Sequence, residues 1–163
     1  MITYLLKCLI VFSYILNIFC FLSGMHLISI HHLGFSSLVF VLTLFIKSFI
    51  IFFFIGLKNF LIQAVESIDK EHPDHLREIT RYYNRVSLLK KTILSWAFLN
   101  ITLLCLTSFV GASQYPRFVH KGLAMSYLTT LTLALFFEIK NLHKSEKMLR
   151  STKYFLSLKD FSM

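Results

Sequence analysis

The sequence lacks the residue groupings on which most enzymes depend. It contains no nucleophile with a matching general base, no glycine-rich phosphate loop, no paired catalytic carboxylates and no zinc-type helix motif. We therefore predict that the chain performs no catalysis of its own. It also contains no internal repeat and no low-complexity linker, which predicts a single domain over residues 1–163.

Cysteine is scarce, and its placement argues against a disulfide or metal framework. The three cysteines, Cys8, Cys20 and Cys105, form no CxxC pair, and each lies inside a long apolar stretch. The prediction is that they are buried and pack as small apolar groups.

Apolar sequence, in contrast, is abundant. Hydrophobic residues make up 56% of the chain, which includes 18 Phe, and the mean hydropathy is +0.67. A soluble chain of this length could not bury so much apolar surface. About 20 residues, at about 1.5 Å each, cross a hydrocarbon layer about 30 Å thick. The sequence therefore predicts an all-α integral membrane protein, a four-transmembrane-helix up-down-up-down bundle, with spans at about 4–29, 35–57, 92–112 and 122–139.

Acidic residues are few, and the basic excess is unevenly distributed. The chain has 17 Lys and Arg against 8 Asp and Glu. Seven basic residues lie in 58–91, six in 140–163 and only two in the other two loops. The positive-inside rule then places 58–91 and both termini in the cytoplasm, in a membrane of the bacterial inner-membrane type. Because topology accounts for the excess charge, we predict membrane lipid as a partner and no nucleic acid.

Residues 58–91 between the second and third spans have the pattern of a cytoplasmic helical hairpin. An amphipathic helix leaves the second span, Pro73 marks a break, and a second helical run follows. In that run Leu76, Ile79, Tyr83 and Val86 alternate spacings of three and four, as in a coiled-coil seam. Two interpretations stay open: the arms pack on each other, or the seam docks a partner. The basic, partly amphipathic tail 140–163 is predicted to lie along the membrane surface.

Lys47 is the most informative single residue, because it lies near the middle of an apolar span. A lysine at that depth costs about 2.5–3.5 kcal/mol on insertion scales. The acidic residue Glu138 lies towards the cytoplasmic end of the fourth span, within reach of a lysine side chain if the two helices touch. The hypotheses are an intramembrane ion pair that sets helix register, a snorkelling lysine, or a site for an ion, proton or anionic ligand.

Histidines gather near the predicted outer face: His26, His31, His32 and His120. Neighbouring first and fourth helices would bring His26 and His120 together, and two facing imidazoles can hold haem b. His31 and His32 could instead hold Cu or Zn. The spacing matches no strong metal motif, so structural or solvated histidines are the preferred interpretation and no cofactor is firmly implied.

These patterns favour an accessory or scaffold subunit of a larger membrane assembly, in contact with other membrane subunits or with a second copy of itself. The first alternative is a redox subunit that holds haem or quinone near His26 and His120. The second alternative is a small transporter or channel that uses Lys47 and Glu138.

Overall fold

A computed structural model of the chain describes residues 2–25, 32–67, 73–112 and 116–160. Within these ranges the protein is all-helical. Each of its four helices is long and apolar enough to cross a membrane, as the sequence predicted. The helices are α1 (Ile2–Gly24), α2 (His32–Ser67), α3 (Pro73–Ala112) and α4 (Arg117–Asp160).

The sequence explains several helix ends. Pro73 opens α3, where its fixed φ suits the first helical position and its missing N–H leaves no donor unpaired. Asp74 then lies in the first turn, where a carboxylate interacts favourably with the helix dipole. Pro116 stands just before α4, and its carbonyl accepts a hydrogen bond from Val119 N at 3.0 Å.

The helices pack in a ring in chain order, with α1 against α2 and α4, and α3 also against α2 and α4. The α2 and α4 helices are the diagonal pair and touch only slightly. Side-chain hydrogen bonds show that α1 and α4 run in opposite directions, because their partners rise along one helix and fall along the other: Lys7 with Glu146, Tyr14 with Thr132, and Asn17 with Tyr127.

Three of the helices extend well beyond the predicted spans and form a helical extension of the bundle. The α2 helix continues to Ser67, α3 begins at Pro73, and α4 continues without a break to Asp160. One apolar core runs through this extension and includes Leu61, Ile79, Val86, Leu142 and Met148. The two arms of the predicted hairpin are thus joined by the C-terminal part of α4 as a third arm.

The C-terminal part of α4 differs from the tail that the sequence predicted. Residues expected to lie along a membrane surface instead pack against the other helices. The Phe155 ring stacks on His75 of α3 at a centroid distance of 4.6 Å, and Leu142 is fully buried. The physical reason is that the amphipathic face of this segment continues the core face of α4, so α2 and α3 provide the apolar partner.

The seam predicted in the second arm lies inside the extension. Ile79 and Val86 are fully buried, while Leu76 and Tyr83 are partly buried against the same core. Lys58 of α2 places its Nζ 5.5 Å from the centroid of the Tyr83 ring, a cation–π contact between the two arms. Burial leaves Ile79 and Val86 no surface for a partner, so the arms pack on each other.

Large apolar side chains cover the outside of the bundle. Phe98 and Phe136 are about 70% exposed, at 72% and 68%. Two cysteines share this surface: Cys8 and Cys105 are exposed, whereas Cys20 is half-buried. The prediction that all three thiols are buried was therefore wrong for Cys8 and Cys105, because their positions in the helical repeat face outward.

Candidate functional site

A buried ion pair joins the diagonal helices of the bundle. Lys47 Nζ of α2 lies 2.5 Å from Glu138 Oε1 of α4, and the two side chains are only 6% and 1% exposed. The structure therefore brings together the two charged residues that the sequence singled out. Because α2 and α4 otherwise touch little, this charge-assisted hydrogen bond is the main polar link across the diagonal.

Helical periodicity places both charged residues at core positions. Lys47 falls in the series of buried residues on α2, which recur every three or four positions: Val39, Thr43, Ile46, Ile50 and Phe54. Glu138 falls in the corresponding series on α4: Leu131, Ala134, Leu142 and Ser145. Each charge thus lies at a position that faces the interior of the bundle, so both side chains are buried.

A small cavity of about 10 Å³ lies beside the pair. Its polar lining comes from both members of the pair and from two hydroxyl side chains of α1, Ser13 and Tyr14. The second carboxylate oxygen, Glu138 Oε2, is buried and has no hydrogen-bond partner in the described part of the chain. An unpaired buried acceptor costs roughly 1–3 kcal/mol, and more when it is charged.

A hydrogen-bonded polar cluster continues from this cavity towards the C-terminal end of α1 and the N-terminal end of α2. Tyr127 Oη donates to Asn17 Oδ1 at 2.8 Å, and Asn17 Nδ2 donates to Thr43 Oγ1 at 3.0 Å. Ser13 Oγ lies 3.3 Å from the same Thr43 oxygen. The cluster joins α1, α2 and α4 one helical turn before Lys47, on the N-terminal side of that residue in α2.

From the sequence, these residues were not singled out as one cluster. The available signal was the spacing of Ser13 and Asn17. At four residues apart, they put two polar groups on the buried face of α1 directly after Leu6 and Ile10.

The remaining helix of the bundle, α3, contributes a separate polar contact. Thr130 Oγ1 lies 3.4 Å from Asn100 Oδ1, and Asn100 Nδ2 donates to the Trp96 carbonyl at 2.8 Å. The Trp96 ring stacks on Phe137 with centroids 5.5 Å apart. The single tryptophan of the chain therefore lies next to the residue that precedes Glu138.

The four histidines proposed for haem or metal are only partly described. His26 and His31 lie outside the described residues, and His32 begins α2 with a side chain that is not described. His120 lies in the first turn of α4, and its imidazole covers Gly111 near the end of α3. Its Nδ1 is buried and has no partner within the ranges that the structure covers. In those same ranges no three His, Cys, Asp or Glu side chains gather as a metal site would require.

A second charged group lies two turns further along α4. Glu146 accepts from Lys7 Nζ of α1 at 3.0 Å and from Arg150 at 2.7 Å. These two cations, first Lys7 and then Arg150, lower the pKa of Glu146 from 4.5 to about 2. The group links α1 to the extension, and its partial exposure makes it weaker than the buried pair.

An apolar groove of about 400 Å³ lies on the outside of the bundle between α1 and α2. Phe52 on its wall is 69% exposed, and Gly56 leaves an open position where a methyl group would meet no atom within 4 Å. The lining is apolar throughout: Ile2, Leu6, Phe49, Phe52, Phe53, Gly56, Leu57, Phe60 and Leu149.

No protein-family model, no curated protein and no solved structure matches the chain. Its chemistry must therefore be inferred from its own contacts. The buried pair and the polar cluster can hold the helices in one register, because each partner would be left uncompensated by a shift along the helix axis. The groove can accept an apolar group of a lipid or of another protein.

Proposed function

We propose that this chain is an integral membrane protein that serves as an accessory or scaffold subunit of a larger membrane assembly. Its four helices cross the bilayer up-down-up-down, with the helical extension and both termini in the cytoplasm. The concentration of basic residues at 58–91 and 140–163 supports that orientation, in a membrane of the bacterial inner-membrane type. In this proposal the groove between α1 and α2 receives an apolar helix of a partner subunit.

The observation that carries the proposal is where the groove lies relative to the basic residues. On α4, exposed Lys140 lies about 3 Å beyond Glu138 along the helix. On α3, Trp96 stacks on Phe137 and so lies at about the level of Glu138. Exposed Lys91 lies about 8 Å from Trp96 along α3, towards the helical extension. Lysines of this kind mark the membrane interface. The hydrocarbon layer therefore ends close below the ion pair on the α3–α4 side.

On the α1–α2 side, apolar surface continues much further in the same direction. Gly56 lies about 14 Å beyond Lys47 along α2, and Phe60, also in the groove, lies about 20 Å beyond it. The lower half of the groove thus falls outside the hydrocarbon layer as the lysines define it, and on this proposal the second span ends before the residue 57 that the sequence predicted. An exposed apolar patch of that kind marks a site of protein contact, because water covers it poorly and lipid tails do not reach it.

Gly56 favours a helix as the partner. Small residues at helix contacts in membranes let two backbones approach closely, which increases van der Waals contact. The open space over Gly56 and the flanking rings of Phe52 and Phe53 form a concave surface that suits one helix.

Substitution at Gly56 tests the proposal without disturbing the fold. Because a methyl group at Gly56 meets no atom of the described residues within 4 Å, Gly56→Leu can extend into the groove without a clash at its Cβ, and it adds about 1 kcal/mol of helix propensity. Gly122 is the matched control, since a methyl group there also meets nothing within 4 Å and the residue lies far from the groove. A photo-reactive amino acid in place of Phe52, in intact cells, identifies what occupies the groove.

We expect the photo-reactive amino acid at position 52 to crosslink to one defined membrane protein, and we expect the same protein to co-purify with the chain in mild detergent. Gly56→Leu should abolish both results, while Gly122→Leu preserves them. Crosslinking to lipid alone would contradict the proposal. Crosslinking of the same protein partner at an undiminished yield in Gly56→Leu would also contradict it. Crosslinking to a second copy of the chain would restrict the assembly to a homo-oligomer.

The orientation has its own test by cysteine labelling. In a chain without Cys8, Cys20 and Cys105, a cysteine at Gly34 should react with a membrane-impermeant thiol reagent added to intact cells. A cysteine at Lys70 should react only after the membrane is opened. The reverse labelling pattern would refute the orientation inferred from the basic residues and would place the helical extension and both termini outside the cytoplasm.

A further inference from the structure

The cavity beside Lys47 and Glu138 has the size and the polar groups of a site for a single small molecule. Its volume of about 10 Å³ is close to the minimum, roughly 10–15 Å³, that a water molecule needs. Glu138 Oε2 is buried, unpartnered and part of the carboxylate that lines the cavity. A carboxylate oxygen so placed requires a hydrogen-bond donor, and none of the described protein groups supplies one.

The lining also includes a group that can donate more than one hydrogen bond. An ammonium group carries three N–H donors. Lys47 Nζ uses one of them on Glu138 Oε1. A small molecule in the cavity can therefore accept a hydrogen bond from Lys47 while it donates to Glu138 Oε2.

Tyr14, which also lines the cavity, supplies an acceptor. Its Oη lies 2.9 Å from Thr132 Oγ1. Thr132 donates its single hydroxyl hydrogen to the carbonyl of Leu128 at 2.8 Å, so Tyr14 must be the donor in its contact with Thr132. The lone pairs of Tyr14 Oη consequently remain available to accept.

We infer that this cavity binds one water molecule, which donates to Glu138 Oε2 and to Tyr14 Oη and accepts from Lys47 Nζ. Three hydrogen bonds are the usual number for a buried water. The molecule satisfies the orphaned carboxylate oxygen. It also ties α1 to the diagonal pair, which otherwise joins only α2 and α4.

The inference does not depend on the proposed function and has its own experiment. A structure of the full chain, at a resolution that shows buried waters, should have a density peak within hydrogen-bonding distance of Glu138 Oε2, Lys47 Nζ and Tyr14 Oη. Infrared difference spectra between H₂¹⁶O and H₂¹⁸O provide a second measurement. An isolated, strongly bonded water gives an O–H stretching band that shifts with the heavier isotope.

Two isosteric variants separate the water from the interhelical bond. Tyr14→Phe removes the proposed acceptor and should lose both the density and the band. Thr132→Val removes the same Tyr14–Thr132 contact but keeps the Tyr14 hydroxyl, so it should retain both. Absence of the peak and the band in the parent protein, or their survival at full strength in Tyr14→Phe, would overturn the inference.

Discussion

Removing one member of the buried pair should destabilise the protein more than removing both. In Lys47→Met the flexible apolar side chain occupies about the same space as the lysine stem, so packing changes little. The Glu138 carboxylate, whose side chain is 1% exposed, then loses the charged partner that it has among the described residues. The variant Lys47→Met with Glu138→Gln removes both charges and leaves an amide at position 138.

The magnitude follows from the geometry of the pair. At 2.5 Å the Coulomb attraction is about 7 kcal/mol for an effective dielectric constant of about 20. Removal of two charges from water costs several kcal/mol for each ion, which offsets most of that attraction. The intact pair therefore adds little net stability, whereas loss of one partner costs roughly 3–5 kcal/mol. The double variant should recover more than half of that loss.

Trp96 provides the assay, because the single tryptophan of the chain stacks on Phe137 beside Glu138. Unfolding in mixed micelles with increasing SDS, followed by Trp96 fluorescence, gives the free energy of unfolding for the parent, for Lys47→Met, for Glu138→Gln and for the double variant. The double-mutant cycle then isolates the coupling between Lys47 and Glu138.

We expect a coupling energy of at least about 2 kcal/mol, within the range for residues in direct contact. A Lys47→Met variant as stable as the parent would refute the reasoning. It would mean that the lysine extends towards the interface and that no buried charge depends on it.

Three further predictions concern other contacts. Gly111→Ala should displace the His120 ring, because a Cβ there would lie 2.7 Å from His120 Cε1; in the His120→Ala background the same substitution should be more favourable to stability, since only the gain in helix propensity of about 1 kcal/mol remains, and an equal change in free energy of unfolding in both backgrounds would contradict the contact. The stability that Glu146 contributes should be fully present above pH 4.5 and lost as the pH falls towards 2, since its pKa is lowered from 4.5 to about 2; the difference in Tm between the parent and Glu146→Gln should shrink over that range, and a constant difference would refute it. Ile79→Asp should expose residues 58–91 to protease, because Ile79 is fully buried, whereas Tyr154→Asp, at a 61% exposed position, should not; equal resistance in both would exclude a packed seam.

Local pattern alone predicted the class of structure. Four long apolar stretches predicted four helices able to cross a membrane, and the structure has them. The heptad-like spacing of Ile79 and Val86 predicted that they share one face of the helix, and both residues are fully buried on that face. These features could be read from the sequence because helical periodicity decides which side chains share a face.

The C-terminal part of α4 shows where local pattern was insufficient. An amphipathic basic helix suits a membrane surface and a protein core equally well. Whether Leu142 and Phe155 meet lipid or protein depends on which helix lies beside them, and that is a tertiary fact. The same applies to Cys8 and Cys105, whose exposure depends on the rotation of α1 and α3 within the bundle.

The sequence by itself determined that Lys47 and Glu138 are costly residues that require partners, because a charge in an apolar span is unfavourable in any fold. Only the tertiary structure decided that they face each other across the bundle diagonal at 2.5 Å. It alone also placed Tyr127, Asn17 and Thr43 in one polar cluster, and it opened the groove between α1 and α2 over Gly56. The physical reason is that residue spacing specifies a face of one helix, whereas a site forms where the faces of several helices meet, and their relative rotation and register arise from packing.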